Sequence, residues 1–246
     1  MKKSIPLILI ATVLLCGCMA RTSNSIIPCS IITWIDDDGN AGFYTKLKPF
    51  AEKYNIPFTC AIITSREFGG RYMTLEQMHE MSELGCEFIS HTHSHNIKKK
   101  LTDMTEEELH YEFSTSQQII KDLGFNFNAV SYPFGAENEL VREVASQYYD
   151  IGIDNSDGGI GKIVTKDFDR YRVKRVSVEV EDIEEIFSKI DEAAKKEAWI
   201  ILMSHVDQRD WYSGDRVKDI IEYALNAGLK FVTVEEGFKQ FKQFAK

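Results

Sequence analysis

From Cys29 onward the chain alternates short apolar runs with longer amphipathic stretches, and this rhythm limits the folds open to it. The runs are CSIITWI from Cys29, IPFTCAII from Ile56, CEFIS from Cys86 and FNAVSYPFG from Phe127. They continue with YDIGID from Tyr149, RYRVKRVSV from Arg170, WIILMS from Trp199 and LKFVTV from Leu229. Several are apolar at nearly every position, which suits strands covered on both faces in a parallel sheet. The stretches between them read as helices. Thr74 with Gln77, and Thr105 with Glu108, have the spacing of capping boxes, and Gly85 and Gly124 stand at the corresponding stops. Pro49 is a weak point in the first helix. About eight strands joined by helices predict an α/β protein, either a barrel or a doubly wound sheet. No internal repeat and no Pro/Gly/Ser-rich linker interrupts the pattern, so residues 29–246 read as one domain.

The first residues belong to a different kind of segment. Two lysines precede an apolar run from Ile5 to Cys16, short for a membrane span and suited to a secretory signal. The end of the run resembles a bacterial lipobox, with Gly17 before Cys18. Residues 1–17 are therefore expected to be a lipoprotein signal peptide, Cys18 the lipidated residue and residues 18–28 a polar tether. That places the protein in the bacterial cell envelope, anchored to a membrane through an N-terminal lipid. The formal charge is −9 and no basic cluster lies beside aromatic residues, which argues against nucleic acid as a partner. Beyond the leader only Cys29, Cys60 and Cys86 remain. An odd number without a CxxC pair argues against a disulfide framework, and all three are expected to be buried.

In parallel α/β folds, chemistry gathers at the carboxyl ends of the strands. Here those ends read DDDG (from Asp36), SHTHSH (from Ser90), SYPFG (from Ser131), DNSDGG (from Asp154) and SHVDQRD (from Ser204). Three adjacent aspartates raise one another's pKa, and a divalent cation relieves that penalty. Carboxylate and imidazole together suit Zn²⁺, with Co²⁺, Ni²⁺ and Mn²⁺ able to take the same ligands. His91 and His95 are four residues apart and share a face in a helical turn, with His93 pointing elsewhere. No G-x-S-x-G elbow is present for a serine esterase, and DGGIGK near Gly161 lacks the spacing of a phosphate loop. Trp211 and Tyr212 follow His205 in a loop beside the expected site and either wall the substrate or simply pack the loop.

Taken in order, these motifs resemble the polysaccharide deacetylases of the NodB-homology type, carbohydrate esterase family 4. TWIDDDG resembles the family's first motif, HTHSH its second, and MSH at Met203–His205 its last. The resemblance implies an irregular (β/α) barrel of about seven to eight mainly parallel strands. It implies a metal-dependent hydrolase removing N- or O-linked acetyl groups from a polysaccharide. It implies Asp38, His91 and His95 as ligands of one divalent metal, Asp37 as general base, His205 as general acid and the backbone N–H of Phe134 as an oxyanion donor. Tyr132, in the same YPFG motif, joins Trp211 and Tyr212 as an expected substrate contact. There are departures. Ser131 stands where the family often has an arginine that orients the base, which leaves the partner of Asp37 open. Gly158 replaces a tryptophan of the fourth motif, where Asp154 is the candidate to tune His205. The extra Asp36 leaves a second register, with Asp36 and Asp37 as base and ligand. These departures motivate the alternative of a catalytically weak glycan-binding lipoprotein on the same fold. A third reading is a metal hydrolase acting on another amide or ester.

Overall fold

The computed structural model describes residues 30–155, 162–207 and 211–246. The signal segment, Cys18, the tether, Cys29, Asp157 and Gly158 lie outside these residues. Among the described residues nine strands form one sheet: β1 (Ile31–Asp38), β2 (Thr59–Ile62), β3 (Glu87–Ser90), β4 (Ala129–Ser131), β5 (Ile151–Asp154), β6 (Val173–Lys174), β7 (Val176–Ser177), β8 (Trp199–Ser204) and β9 (Lys230–Phe231). The order is β6-β5-β4-β3-β2-β1-β8-β7 and every pairing between these strands is parallel. β1 pairs with β8 along most of its length. On its other side it pairs with β9 at Ile31–Ile32 and with β2 from Ile35 to Asp38.

RYRVKRVSV was expected to be one strand, and the structure corrects this. It forms two short strands, β6 and β7, on opposite edges of the sheet with only Arg175 between them. One residue thus joins the two edges. The sheet curls into a nearly closed barrel of eight parallel strands, and Arg175 marks its seam.

Strand alternation then sorts the side chains into two layers. Ile31, Ile35, Ala61, Ile89, Ala129, Ile151, Ile153, Val173, Trp199 and Ile201 form the barrel interior. Residues of the opposite parity, among them Ile32, Trp34, Cys60, Phe88, Ile200 and Leu202, face the surrounding helices. Those helices are α1 (Lys48–Tyr54), α2 (Leu75–Glu83), α3 (Glu106–Asp122), α4 (Glu139–Ala145), α5 (Ile183–Lys196), α6 (Gly214–Asn226) and α7 (Val234–Phe241). Both predicted capping boxes are present, at Thr74–Gln77 and Thr105–Glu108. Pro49 sits at the start of α1, where a missing N–H is tolerated, after a π-helical turn at Phe43–Leu47. Cys60 and Cys86 are buried free thiols, as expected.

α7 packs Val234, Phe238 and Phe241 into the interior cluster at the amino ends of the strands. The Glu87 carboxylate accepts the N–H groups of Val234 and Glu235 at the first turn of α7, each at 3.0 Å. Gly237 lets the Trp199 ring lie against the helix, since a Cβ there would fall 2.6 Å from the indole. Gly237→Ala is therefore expected to destabilise the fold by about 1–3 kcal/mol through overpacking, read as a lower melting temperature. An unchanged melt would show that Trp199 can shift aside. The opposite end of the barrel, where the strands end in polar residues, is left for chemistry.

Candidate active site

Asp37 continues the inward parity of Ile31, Thr33 and Ile35, so it points into the barrel at its carboxyl end. Asp38 follows with φ 79°, and this left-handed turn breaks the alternation. Asp36 belongs to the other face. Its Oδ1 accepts the Ser204 hydroxyl at 2.6 Å and the Val206 N–H at 2.9 Å. Burial pushes its carboxyl up to about 8, against the pull of those two hydrogen bonds. This geometry supports the register in which Asp37 and Asp38 serve the site. It also gives the third aspartate a role, because Asp36 grips the chain on both sides of His205.

His91, His95 and Asp38 converge, with one donor atom from each lying within 4.8 Å of the others. His91 Nε2 and His95 Nε2 each stand 3.6 Å from Asp38 Oδ1. His91 Nδ1 donates to the carbonyl of Ser131 at 2.7 Å, which fixes the ring with Nε2 facing Asp38. Burial and the neighbouring His91 bring His95 down to about 4, which leaves its imidazole neutral at physiological pH. Two imidazoles and a carboxylate, closely spaced and largely buried, fit a divalent cation. The loop is not the helical turn expected from the i, i+4 spacing. His91 to His95 form an irregular bend in which Thr92 and His95 take positive φ, 62° and 47°. His93 does turn away, toward Thr64 Oγ1 and the ring of Tyr111.

The partner of Asp37 is Arg175, at the barrel seam. Its Nη1 and Nη2 donate to the two carboxylate oxygens at 3.0 and 2.8 Å, and Ser131 Oγ adds a bond of 3.2 Å. Arg175 is only 1% exposed and is braced from behind by Asn155 Oδ1, at 3.0 Å from Nε and 2.5 Å from Nη2. Burial alone would raise the Asp37 carboxyl. The Arg175 charge outweighs it and holds the group well below the usual carboxylate range.

His205 is held by Glu179 rather than by Asp154. Glu179 Oε1 lies 2.9 Å from His205 Nδ1 and also accepts the His205 backbone N–H. Burial lowers the imidazole pKa, but the Glu179 hydrogen bond and the charges of Asp37, Glu179 and Asp38 raise it to about 9. Asp154 instead pairs with Lys174 and Arg172. Tyr132 also departs from expectation. Its ring is fully buried among Val130, Val141 and Ala145, with the hydroxyl against Gly152, so it cannot contact a substrate.

Phe134 takes φ 61° in the turn after β4, and its half-exposed ring lies 4.6 Å from His95, centroid to centroid. Trp211 Nε1 donates to the His205 carbonyl at 3.3 Å. Tyr212 carries Lys46 over its ring. Both aromatic residues are partly exposed and also pack on the outer core.

The sequence reading missed Arg175 and Glu179. The available signal was the alternation of charged residues with valines in RYRVKRVSVEV, which holds Arg172, Lys174, Arg175 and Glu179. It gains meaning only when the run is seen to cross from one edge of the sheet to the other.

This arrangement has relatives. The polysaccharide deacetylase family model matches residues 28–149, and the chain belongs to that family. It is 28% identical over 172 residues to a poly-beta-1,6-N-acetyl-D-glucosamine N-deacetylase of Staphylococcus epidermidis, covering 64% of this chain and 58% of the relative. The chain thus spans just over half the length of that curated relative. Among solved structures, the Streptococcus pyogenes deacetylase PplD in complex with acetate is similar. Its TM-score is 0.52 and its identity 25%, over 58% of this chain and 62% of the other. The Xyl-CE4 domain of a multidomain xylanase from a Trinervitermes trinervoides hindgut metagenome matches more of the fold. Its TM-score is 0.60 and its identity 20%, over 86% of this chain and 91% of the other. The barrel is the NodB deacetylase fold.

Proposed function

We propose that this protein is a metal-dependent hydrolase that removes acetyl groups, N- or O-linked, from a cell-envelope polysaccharide. The observation that carries this reading is a division of labour at one barrel mouth. A carboxylate and two imidazoles fit a cation, beside a carboxylate kept ionised and an imidazole kept protonated. Asp38, His91 and His95 would hold one divalent cation, of which Zn²⁺ suits the donor set, and when bound it would supply Lewis-acid polarisation of the acyl carbonyl. Asp37, ionised and oriented by Arg175, takes a proton from the attacking water. His205, with Nδ1 engaged by Glu179, gives the Nε2 proton to the departing amine or alkoxide. The N–H of Phe134 faces the oxyanion that forms between them. Trp211 and Tyr212 form one wall of the sugar groove. The name of the S. epidermidis relative favours an N-acetylated hexosamine polymer. The leader and Cys18 support delivery to the envelope on a lipid anchor.

The binding-only alternative rested on the departures at Ser131 and in the fourth motif. Arg175 and Glu179 supply the orienting groups that those departures removed, which supports catalysis. The test is acetate release from a panel of acetylated glycans, with added Zn²⁺ or Co²⁺ and again with chelator. Release that chelator abolishes and metal restores is expected. Release that is indifferent to chelator would refute the metal-dependent reading.

The state of His205 gives a second expectation. Its pKa lies above the ordinary histidine value of about 6.5, so the proton donor is present below that value and is lost as pH rises through about 9. The stability that the charged pair with Glu179 contributes follows the same course. Glu179→Gln removes the acceptor charge, so the alkaline limb of kcat/KM should move toward lower pH. A bound cation lowers the limb in both proteins, so the difference between them is the readout. Superimposable profiles would show that Glu179 does not set the acid.

A further inference from the structure

The bend from His91 to His95 carries two ligand positions on a backbone that resists its own shape. Thr92 is β-branched and has φ 62°, a conformation such residues rarely adopt, and His95 follows at φ 47°. His91 is anchored independently, by its backbone N–H to Ile62 at 2.8 Å and by its ring to the Ser131 carbonyl. His95 lies beyond both unusual residues and has no comparable ring anchor among the described residues. Its position depends on what holds the bend.

On one side the Thr64 and Ser65 N–H groups donate to the Thr92 and His93 carbonyls at 3.2 and 3.0 Å, and the bend's own N–H groups are held by side chains. The Thr92 N–H donates to Ser90 Oγ at 3.0 Å, and Ser90 Oγ is tied in turn to Ser116 of α3 and to the Tyr149 hydroxyl. The next two N–H groups, of His93 and Ser94, both donate to one oxygen of Glu112, at 3.0 and 2.8 Å. Glu112 lies on α3 and is 5% exposed, and no cation pairs with it among the described residues. A buried carboxylate costs free energy unless hydrogen bonds satisfy it, and bonds from backbone N–H groups to an ionised acceptor are the stronger kind. Glu112 therefore spends its burial on closing the bend.

We propose that Glu112 is the positioning residue of the candidate metal centre: by clamping the His93 and Ser94 amides it sets His95 against His91 and Asp38. This rests on the proposed metal site and reaches beyond it, because it assigns the preorganisation of the site to a helix that supplies no ligand.

The test is Co²⁺ titration of the purified chain, followed by the visible absorption of the bound ion, in wild type, Glu112→Leu and Glu112→Gln. Glutamine keeps one carbonyl oxygen for the two amides, whereas leucine leaves both without an acceptor. The leucine variant should bind Co²⁺ about 10–100-fold more weakly, the range seen when outer-shell partners are removed. The glutamine variant should stay within about threefold of wild type, on the rule that a retained acceptor avoids the cost of an unsatisfied buried donor. Equal affinity in wild type and a folded leucine variant would overturn the assignment and leave the metal site intact. No Co²⁺ binding by wild type would overturn both. If the leucine variant does not fold, amide hydrogen exchange in wild type decides instead. Protected His93 and Ser94 amides support the clamp, and amides that exchange as freely as those of exposed loops overturn it.

Discussion

Asp37→Asn is expected to lower acetate release by about 10²–10⁴-fold, the usual loss when a general base is removed, while Co²⁺ binding persists. Asparagine has nearly the same shape. It can still accept from Ser131 Oγ and from one arm of Arg175, so the barrel mouth keeps its form. It cannot take a proton from water. Asp38, His91 and His95 are untouched by the change, which is why binding and turnover should separate. The variant will also be less stable, because Arg175 remains buried without a counter-charge. Assays therefore belong well below its melting temperature. A folded variant that binds Co²⁺ and turns over within a fewfold of wild type would sink the assignment of Asp37 as base.

Much of this site was legible before any coordinates. His91 and His95 stood out because ligand types are bunched at the ends of strands, while the choice of Asp38 came from the resemblance to the NodB deacetylases. The apolar runs left a barrel or a doubly wound sheet open, and the resemblance to the NodB deacetylases chose the barrel. What the sequence hid was set by closure. The strand reading of RYRVKRVSV was right about extended backbone and wrong about connectivity. Hydrophobic pattern reports which residues are buried, but not that two halves of one run sit on opposite edges of a sheet. Arg175 and Glu179 both belong to that crossing, so the orienting partner of the base and of the acid were lost together. Tyr132 misled for a related reason. Its motif lies at the mouth, but strand parity turns the ring to the helix side, into the space left by Gly152. Asp154 is at a strand end, as expected, and Lys174 and Arg172 claim it. Glu112 could not be singled out from the sequence, since nothing local distinguishes an inward glutamate from its neighbours on a capped helix.

Arg175→Met is expected to cost about 3–5 kcal/mol of stability, the usual penalty for breaking a buried ion pair from one side. The residue joins the two edges of the barrel and is the counter-charge of Asp37. Methionine fills much of the same volume, so the loss is mainly electrostatic. Without the guanidinium, burial governs Asp37 and pushes its carboxyl upward, so the base is protonated over more of the pH range and turnover falls as well. The sign of the pH dependence follows. In wild type the Asp37 pKa is depressed, so the pair stabilises the fold fully above the ordinary aspartate value of about 3.9 and loses that contribution only in stronger acid. In Arg175→Met this contribution is absent at neutral pH, and the gap between the two proteins should narrow as the pH falls. Lysine is not a conservative replacement here, because a point charge cannot bond both oxygens of Asp37 and Asn155 together. The double variant Asp37→Asn/Arg175→Met removes both charges at once. If the two residues act as a pair, its loss of stability is smaller than the sum of the single losses, while activity stays as low as in Asp37→Asn alone. Strictly additive losses would mean that the ion pair does not couple the base to the seam, and the orientation of Asp37 would have to come from Ser131.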